Sequence, residues 1–443
     1  MRRLSGNRGL CQPARDRLGP AGLPCYPYAV SSVAPAAAAL AAPHAFAEIL
    51  REAPYRRLWL SGLCVSGARW MDLVLLGWLA FQLTDSPFMV AVAAFARSAP
   101  MMLLGPFTGL LADRMHRGRV LVFTQALGLA TGLVLAAVFA AGRGGFWPMV
   151  GLEVLFGVLW AIDFPARRTA LYALVGPRRV ATAVSLETVS MQVAKMVGPV
   201  LAGIGLARMG PAPCYAAVAV LYALGLLAFI GLPARIGGPS GRDTASVVSS
   251  LGEGFREAWR EPTVRAVLII TVLMNTLFFP YQHMLPVFAR EVLRVGPEWL
   301  GALVAADGLG ALLGALAIAS RRGFVAHGRL FATAVLVAPF LLLAFTGLRW
   351  RWACLAILVL IGAAESGFAA MQSTLVLLTA PPDSRGRAMG ILSACIGTQP
   401  VGTLWIGFLA TGIGVPAAMA LNGVVALLAM LPAAWPLVRR PPV

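Results

Sequence analysis

The sequence of 443 residues contains one lysine, Lys195, and few charged residues of any kind. Asp, Glu, Lys and Arg together make up 12% of the chain, whereas hydrophobic residues make up 59%. A soluble protein of this length would need far more polar surface. Because the lone lysine lies inside an apolar segment, the sequence also excludes a Walker-type phosphate loop, which needs a lysine after its glycines. Energy for any coupled activity must therefore come from an ion gradient, a substrate gradient or another subunit.

Motifs for metal binding, disulfide frameworks and catalysis are missing as well. The six cysteines have spacings that fit neither a metal site nor a set of disulfides. The sequence contains no nucleophile elbow, cofactor motif or clustered His/Asp/Glu ligand set. We therefore expect a protein that is not an enzyme and that carries no cofactor and no metal.

The apolar residues instead form runs of about 20, the length that a helix needs to cross a hydrocarbon core of about 30 Å. Helices are expected because an open sheet would leave backbone polar groups unpaired in lipid. The sequence predicts an all-α membrane protein with twelve transmembrane helices, at about 57–83, 87–112, 119–141, 146–172, 181–207, 212–233, 264–289, 298–320, 329–348, 352–378, 386–410 and 415–437.

A formal net charge of +18 raises the question of nucleic-acid binding. The basic residues, however, lie between apolar segments and concentrate after the even-numbered helices, which is the pattern of cytoplasmic loops. The loops after odd-numbered helices hold only Arg143, Arg208, Arg290, Arg294, Arg349 and Arg351. We therefore predict a multi-pass protein of the cytoplasmic membrane with both termini in the cytoplasm, whose partner is the lipid bilayer and not nucleic acid.

The two halves of the chain repeat each other. Residues Ser86–Arg119 align without a gap with Gly296–Arg329 at an offset of 210 residues. Two six-helix units of this kind make a transporter body, with the substrate path between them. We predict a disordered tail at 1–50, a first bundle at 51–233, a cytoplasmic linker at 234–263 and a second bundle at 264–438. A four-residue apolar spacing in the linker predicts a helix on the membrane surface, or alternatively a partner-binding helix, through Val247, Leu251, Phe255 and Trp259.

The connection between helices 2 and 3 reads G-L-L-A-D-R-M-H-R-G-R from Gly109 to Arg119. It resembles the signature loop of the major facilitator superfamily, G-x-L-x-D-R-x-x-R-x-R. The resemblance implies a fold of two pseudo-symmetric six-helix bundles and a gating role for this loop, which locks the outward-facing state in the family. The implied gating residues are Gly109, Asp113, Arg114, Arg117 and Arg119. The second half has Gly323 opposite Asp113, so any lock there must differ.

Four further segments resemble the branch of the superfamily that holds enterobactin exporters and macrolide efflux proteins. They are the ends of helices 4 and 7, the residues before helix 11 and the glycine-rich stretch of helix 5, at 163–168, 285–293, 382–387 and 197–203. The helix-5 stretch also resembles the antiporter motif of drug exporters, although part of that glycine series is missing. The resemblance covers about residues 50–437.

Charged residues deep in the apolar segments need a partner or a function, because each costs about 2.5–3.5 kcal/mol on insertion scales. They are Arg69, Asp72, Arg97, Lys195, Asp307 and Glu365, whereas Glu153, Asp163 and Glu187 lie nearer the predicted helix ends. Arg69 and Asp72 have the spacing of a pair on one helix face, either a structural pair or one that substrate or a proton opens.

Arg97 and Asp307 are equivalent under the 210-residue offset but opposite in charge. In the superfamily fold, helices 2, 5, 8 and 11 face the interface between halves, which implies that Lys195 meets Asp307 across the cavity. We hypothesise that this pair forms in one access state and that a proton on Asp307 opens it. Permanent structural pairing is the alternative.

Asp72 and Glu365 are the other candidates for proton coupling, with Arg69, Arg97 and Lys195 as their cationic partners in the cavity. Glu365 could instead be a structural acid that is satisfied by neighbouring Ser or Thr groups. Helix 7 is interrupted by proline at Phe279-Pro280, and such interruptions expose backbone to a cavity. Candidates for lining the substrate cavity are Trp70, Tyr281 and His283, with packing as their alternative role.

Together these features predict a monomeric secondary active transporter, most simply a proton antiporter that exports an amphipathic small molecule such as a siderophore, antibiotic or drug. The direction of transport rests on the resemblance alone. Uptake or facilitated diffusion of a metabolite is the alternative within the class. A non-transporting membrane sensor or subunit is the alternative outside it, and the cost of the deep charges speaks against it.

Overall fold

The computed structural model describes residues 43–114, 116–230, 232, 256, 259–320, 327–380 and 385–439. Within these ranges the side chains of 43–45, 105–114, 177, 178, 181, 319, 385–387 and 439 are not described. Twelve helices in the described part of the chain are long and apolar enough to cross a membrane, as the sequence predicts. We number them α1 Ala53–Thr84, α2 Pro87–Leu104, α3 Arg117–Ala140, α4 Phe146–Gly176, α5 Thr182–Met209, α6 Pro211–Ala228, α7 Pro262–Val292, α8 Pro297–Ile318, α9 His327–Gly347, α10 Arg351–Thr379, α11 Ala388–Ile413 and α12 Val415–Val438.

The connection between α4 and α5 is shorter than the sequence suggests. Helical structure runs from Phe146 to Met209, and the break within it lies at Gly176, whose φ is +69°. A residue with a side chain rarely adopts this left-handed conformation, whereas glycine does so without steric cost. A single glycine therefore turns the chain from one spanning helix into the next.

Helix α7 changes its winding instead of breaking at Pro280. Two π-helical segments, Met274–Phe278 and Phe288–Val292, flank the α-helical stretch Tyr281–Val287. π-helical turns are rare and are frequent at functional sites. The interruption that the sequence predicts for α7 is thus a turn at Phe279-Pro280 directly after a widened, π-helical segment, and a second such segment lies near the end of the helix.

The disordered tail predicted for 1–50 is too long at its end. Pro43–Arg51 forms a short helix, and Ile49 within it is buried against the first bundle. Burial of this apolar side chain gives the segment a fixed place that composition does not reveal. Residues 1–42 lie outside the described part of the chain, as do Val247, Leu251 and Phe255 of the predicted linker helix.

The two halves meet through small residues at one end of the molecule. Added Cβ atoms would overlap backbone of the other half at Gly203, which contacts the Pro297 carbonyl, and at Gly301, which contacts the Pro199 carbonyl. Helices α5 and α8 therefore touch backbone to backbone, as small residues allow in membrane helices. We call this end, which carries connections such as Asp85 between α1 and α2, the closed end.

At the opposite end, the same helix faces come apart. Thr188 lies on the face of α5 that holds Lys195, yet Thr188 is exposed whereas Lys195 is buried. On α11, Ser393 is exposed whereas Gly407, near the closed end, is buried against Ala91 of α2. The space between the halves thus opens at the end that carries the α4–α5 connection, which we call the open end.

Candidate functional site

A buried ion cluster joins the two halves at mid-depth. Lys195 of α5 places its Nζ 2.7 Å from Oδ2 of Asp307 on α8 and 3.7 Å from Oε2 of Glu365 on α10. The side chains are 8%, 2% and 8% exposed. The contact between Lys195 and Asp307 that the resemblance implies is therefore present, and Glu365 extends it to a third helix. We call these three residues the inter-half cluster.

Helix α7 supplies the remaining hydrogen bonds of this cluster. The Tyr281 hydroxyl donates to Oε1 of Glu365 at 3.1 Å, and Nε2 of Gln282 donates to the same oxygen at 3.2 Å and to Asp307 at 3.4 Å. The alternative role for Glu365, a structural acid, named Ser or Thr as partners, whereas the partners in the structure are Tyr281 and Gln282. Tyr281 is fully buried in this conformation, where it holds Glu365, and a lining role for it stays a prediction.

The inter-half cluster contains two carboxylates and one ammonium group. Removing a charge from water costs several kcal/mol unless a partner compensates it, so this excess of acid needs a further cation or a proton. The hydrogen bonds from Tyr281 and Gln282 reduce the cost for Glu365 but add no charge. The cluster therefore holds one acidic group more than it holds basic groups.

A second cluster lies within the first half. The Arg97 guanidinium on α2 contacts Asp72 of α1 and lies 2.7 Å from Oε2 of Glu153 on α4. The predicted pairing of Asp72 with Arg69 is replaced by this contact across helices. Glu153 is fully buried, although its position near the predicted start of helix 4 suggested an interfacial residue. We call Asp72, Arg97 and Glu153 the first-half cluster.

The two clusters are copies of one arrangement. Asp72 and Gln282 stand 210 residues apart on α1 and α7, just as Arg97 and Asp307 do on α2 and α8. The third member comes from equivalent helices, α4 and α10. In the first half, the residue on α2 is the cation Arg97, which contacts both acids. In the second half, the equivalent residue on α8 is the acid Asp307, and its cation is Lys195 on α5 of the first half.

Aromatic side chains border both clusters. The Arg69 guanidinium lies 3.8 Å from the centre of the Trp160 ring, and Nζ of Lys195 lies 5.3 Å from the centre of the Trp70 ring. Such distances allow cation–π attraction. Trp70 and His283 are half-buried, and His283 follows Gln282 on α7. These positions agree with a lining role for Trp70 and His283, which remains a prediction.

At the closed end, an ion pair also bridges the halves. Arg290 near the end of α7 lies 3.3 Å from Asp85, and its guanidinium lies 5.1 Å from the centre of the Phe81 ring. Asp85 is 75% exposed, so water competes for this pair. We call Asp85 and Arg290 the closed-end pair.

The predicted gating loop is only partly described. Gly109, Asp113 and Arg114 continue the helix that begins as α2, but their side chains lie outside the described part of the structure. Arg117 and Arg119 lie in the first turn of α3. The partners that the sequence predicts for Asp113 therefore stay a prediction, as does the role of Gly323 in the second half.

Comparisons with known proteins agree with this geometry. The chain is 24% identical over 393 residues to the multidrug efflux pump Tap of Mycolicibacterium fortuitum, covering 85% of this chain and 96% of the pump. It is 26% identical over 350 residues to the enterobactin exporter EntS of Escherichia coli O1:K1, covering 74% of this chain and 79% of the exporter.

Among solved structures, a POT family transporter in complex with a thioalcohol-conjugated peptide superposes with a TM-score of 0.70 at 12% identity. The match covers 85% of this chain and 94% of that transporter, and it shows a shared fold. The family model described as transmembrane secretion effector matches residues 44–440. The chain therefore belongs to the transmembrane secretion effector family, within the major facilitator superfamily of multi-pass membrane transporters.

Proposed function

We propose that the protein exports an amphipathic small molecule in exchange for protons, by alternating access of a monomer in the cytoplasmic membrane. The observation that carries this proposal is the inter-half cluster, in which Lys195 of one half is bound by Asp307 and Glu365 of the other. An ion pair at this depth holds the halves in one relative position. Its strength depends on the charge of Asp307, so protonation and rearrangement are linked.

The proposed direction rests on two supports. Excess arginine after the even-numbered helices supports a cytoplasmic location for the open end and for both termini. The state described here is then inward-open, with the substrate path accessible from inside the cell. Two relatives, Tap and EntS, are named as an efflux pump and an exporter, which favours outward movement of the substrate.

The cycle follows from the charges. When the carrier is outward-open, with the contacts at Gly203 and Gly301 separated, a proton from outside binds Asp307 and cancels its attraction for Lys195. The protonated carrier then rocks back to the inward-open state, in which Glu365 stands 3.7 Å from the same ammonium. Release of the proton to the cytoplasm restores the ion pair between Lys195 and Asp307 and resets the carrier.

The test compares small molecules inside and outside cells that lack the protein, overexpress it, or overexpress Asp307→Asn. The matched control is Asp85→Asn, which neutralises the acid of the exposed closed-end pair. We expect one compound to accumulate inside the null strain and to appear outside on overexpression. That export should disappear with a protonophore and with Asp307→Asn, but not with Asp85→Asn.

Two outcomes would contradict the proposal. Accumulation of a compound inside the overexpressing cells would identify uptake. Export that persists unchanged with both the protonophore and Asp307→Asn would show that the carrier does not use protons through this residue.

A further inference from the structure

Among the cations of the spanning helices, Arg69 has an unusual set of contacts. Arg97 and Lys195 each lie within 3 Å of a carboxylate, and so does Arg167, which lies 2.9 Å from Asp163. In the described part of the chain, Arg69 forms no ion pair and no hydrogen bond. Its guanidinium lies over the face of Trp160, 3.8 Å from the centre of the ring.

Charge balance accounts for the presence of Arg69 in a spanning helix but not for its free donors. Arg69 and Arg97 together offset the formal charges of Asp72 and Glu153. The guanidinium nevertheless presents five N–H donors, and a ring face accepts none of them as a full hydrogen bond. Because Arg69 is only half-buried, these donors are open to an acceptor that comes from outside the described side chains.

Arg69 and Trp160 meet where α4 packs beside α1 and α2. Helix α4 contacts α2 at Gly157, against the Arg97 carbonyl, and contacts α1 at Arg167, which donates to the Leu58 carbonyl. Trp160 and Phe164 lie between these two contacts on the helix surface, because residues four apart share a face.

The two rings also contact each other, since their centres are 5.3 Å apart. Arg69, Trp160 and Phe164 are all half-buried and therefore partly accessible. A guanidinium and two rings inclined at 37° to each other thus form one continuous, partly accessible surface.

We propose that Arg69 and Trp160 form a binding site for the planar anionic group of the transported molecule. A carboxylate would accept two parallel hydrogen bonds from the guanidinium fork, and an attached aromatic ring would pack against the rings of Trp160 and Phe164. This inference rests on the proposed transport function and gives it a substrate class: flat aromatic anions.

Binding can be measured on the purified full-length protein in nanodiscs by isothermal titration calorimetry, without any gradient. Three probes share one ring system: 2-naphthoate is anionic, 2-naphthalenemethanol is neutral and 2-naphthylmethylammonium is cationic. We expect naphthoate to bind at least about tenfold more tightly than the other two, because only its carboxylate can accept two charge-assisted hydrogen bonds from the guanidinium.

Substitutions of Arg69 and Trp160 then test whether these residues cause the preference for the anionic probe. Arg69→Gln should weaken naphthoate binding about tenfold or more, and Trp160→Leu should weaken all three probes by a smaller factor. Arg351→Gln is the matched control, because Arg351 makes the same kind of contact, 4.6 Å from the centre of the Trp299 ring, but is exposed at the closed end. Binding should be unchanged in this control.

Should Arg69→Gln fail to fold, Arg69→Lys keeps the charge and removes the fork, and it should still lose several-fold affinity for naphthoate. Equal binding of naphthoate and the neutral alcohol would overturn the inference, and so would full affinity in a folded Arg69 variant. The binding experiment does not measure transport, so the two proposals can fail separately. Naphthoate binding by a protein that does not export would contradict only the proposed function, whereas export without naphthoate binding would contradict only this inference.

Discussion

The Lys195 ammonium lies 2.7 Å from the Asp307 carboxylate, and the two residues belong to different halves of the protein. The bond therefore has to change whenever the halves move apart at this depth. Glu365 stands 3.7 Å from the same ammonium, so Lys195 has a second acid close by when the first is lost. This arrangement makes the stability of one conformation and the rate of transport depend on the same three side chains.

Lys195→Met should destabilise the protein by about 3–5 kcal/mol, because it leaves two buried carboxylates without their cation. Transport should be lost as well. The measurement is the thermal unfolding of the purified protein in detergent, followed by transport in reconstituted vesicles. The double variant Lys195→Met/Asp307→Asn should regain much of the stability but none of the proton-driven transport. A double variant no more stable than the single one would show that the two residues do not interact energetically.

Arg97→Met should destabilise the protein by a similar amount, since it removes the cation that Asp72 and Glu153 share inside the first half. Arg290→Met is the comparison, because the closed-end pair is exposed and such pairs contribute only about 0–1 kcal/mol. Thermal unfolding of both variants tests the contrast. A loss of stability for Arg290→Met as large as that for Arg97→Met would contradict it.

Gly301→Ala should weaken the contact between α8 and α5 at the closed end, because the new methyl group would overlap the Pro199 carbonyl of α5. The halves would have to separate there, so we expect slower transport and greater labelling of a cysteine introduced at Leu293 by a membrane-impermeant maleimide. Gly151→Ala is the control, since its Cβ would meet no atom within 4 Å. Unchanged labelling in Gly301→Ala would mean that this contact does not hold the end closed.

Tyr281→Phe should reduce transport while the protein still folds. The substitution removes one hydrogen bond to Glu365 and leaves those from Gln282, so the expected cost is about 1–3 kcal/mol. Tyr172→Phe, at an exposed position, should change neither stability nor rate. If both variants behave like the unmodified protein, Glu365 does not need the tyrosine for its position.

The sequence predicts the helices well because spanning segments are set by length and hydropathy, which can be read directly. It also predicts the contact of Lys195 with Asp307, because the 210-residue offset and the family fold place both residues at the interface. It pairs Asp72 with Arg69 wrongly, since spacing along one helix says nothing about a stronger partner on the next. Helix rotation decides that choice, and one sequence does not fix it.

Glu153 and Gln282 escaped sequence reasoning for different reasons. Glu153 was judged by its distance from the helix end, whereas its burial depends on how α4 packs against α1 and α2. Gln282 is uncharged, so a search for charged residues in the spanning segments does not identify it. It is the residue equivalent to Asp72 under the 210-residue offset, so the repeat is the signal that could have identified it.

The cation of the inter-half cluster also has a consequence for biosynthesis. Lys195 is made before Asp307 and Glu365, so the nascent first half must enter the bilayer with an ammonium group whose partners do not yet exist. The second half, made alone, would carry two acids with no cation of its own in that cluster. Each half thus lacks the opposite charge that the other half supplies, and the Lys195 ammonium gains its partners only when α8 and α10 enter the bilayer. Stable insertion of the first half consequently depends on the synthesis of the second half, in addition to the contacts between them.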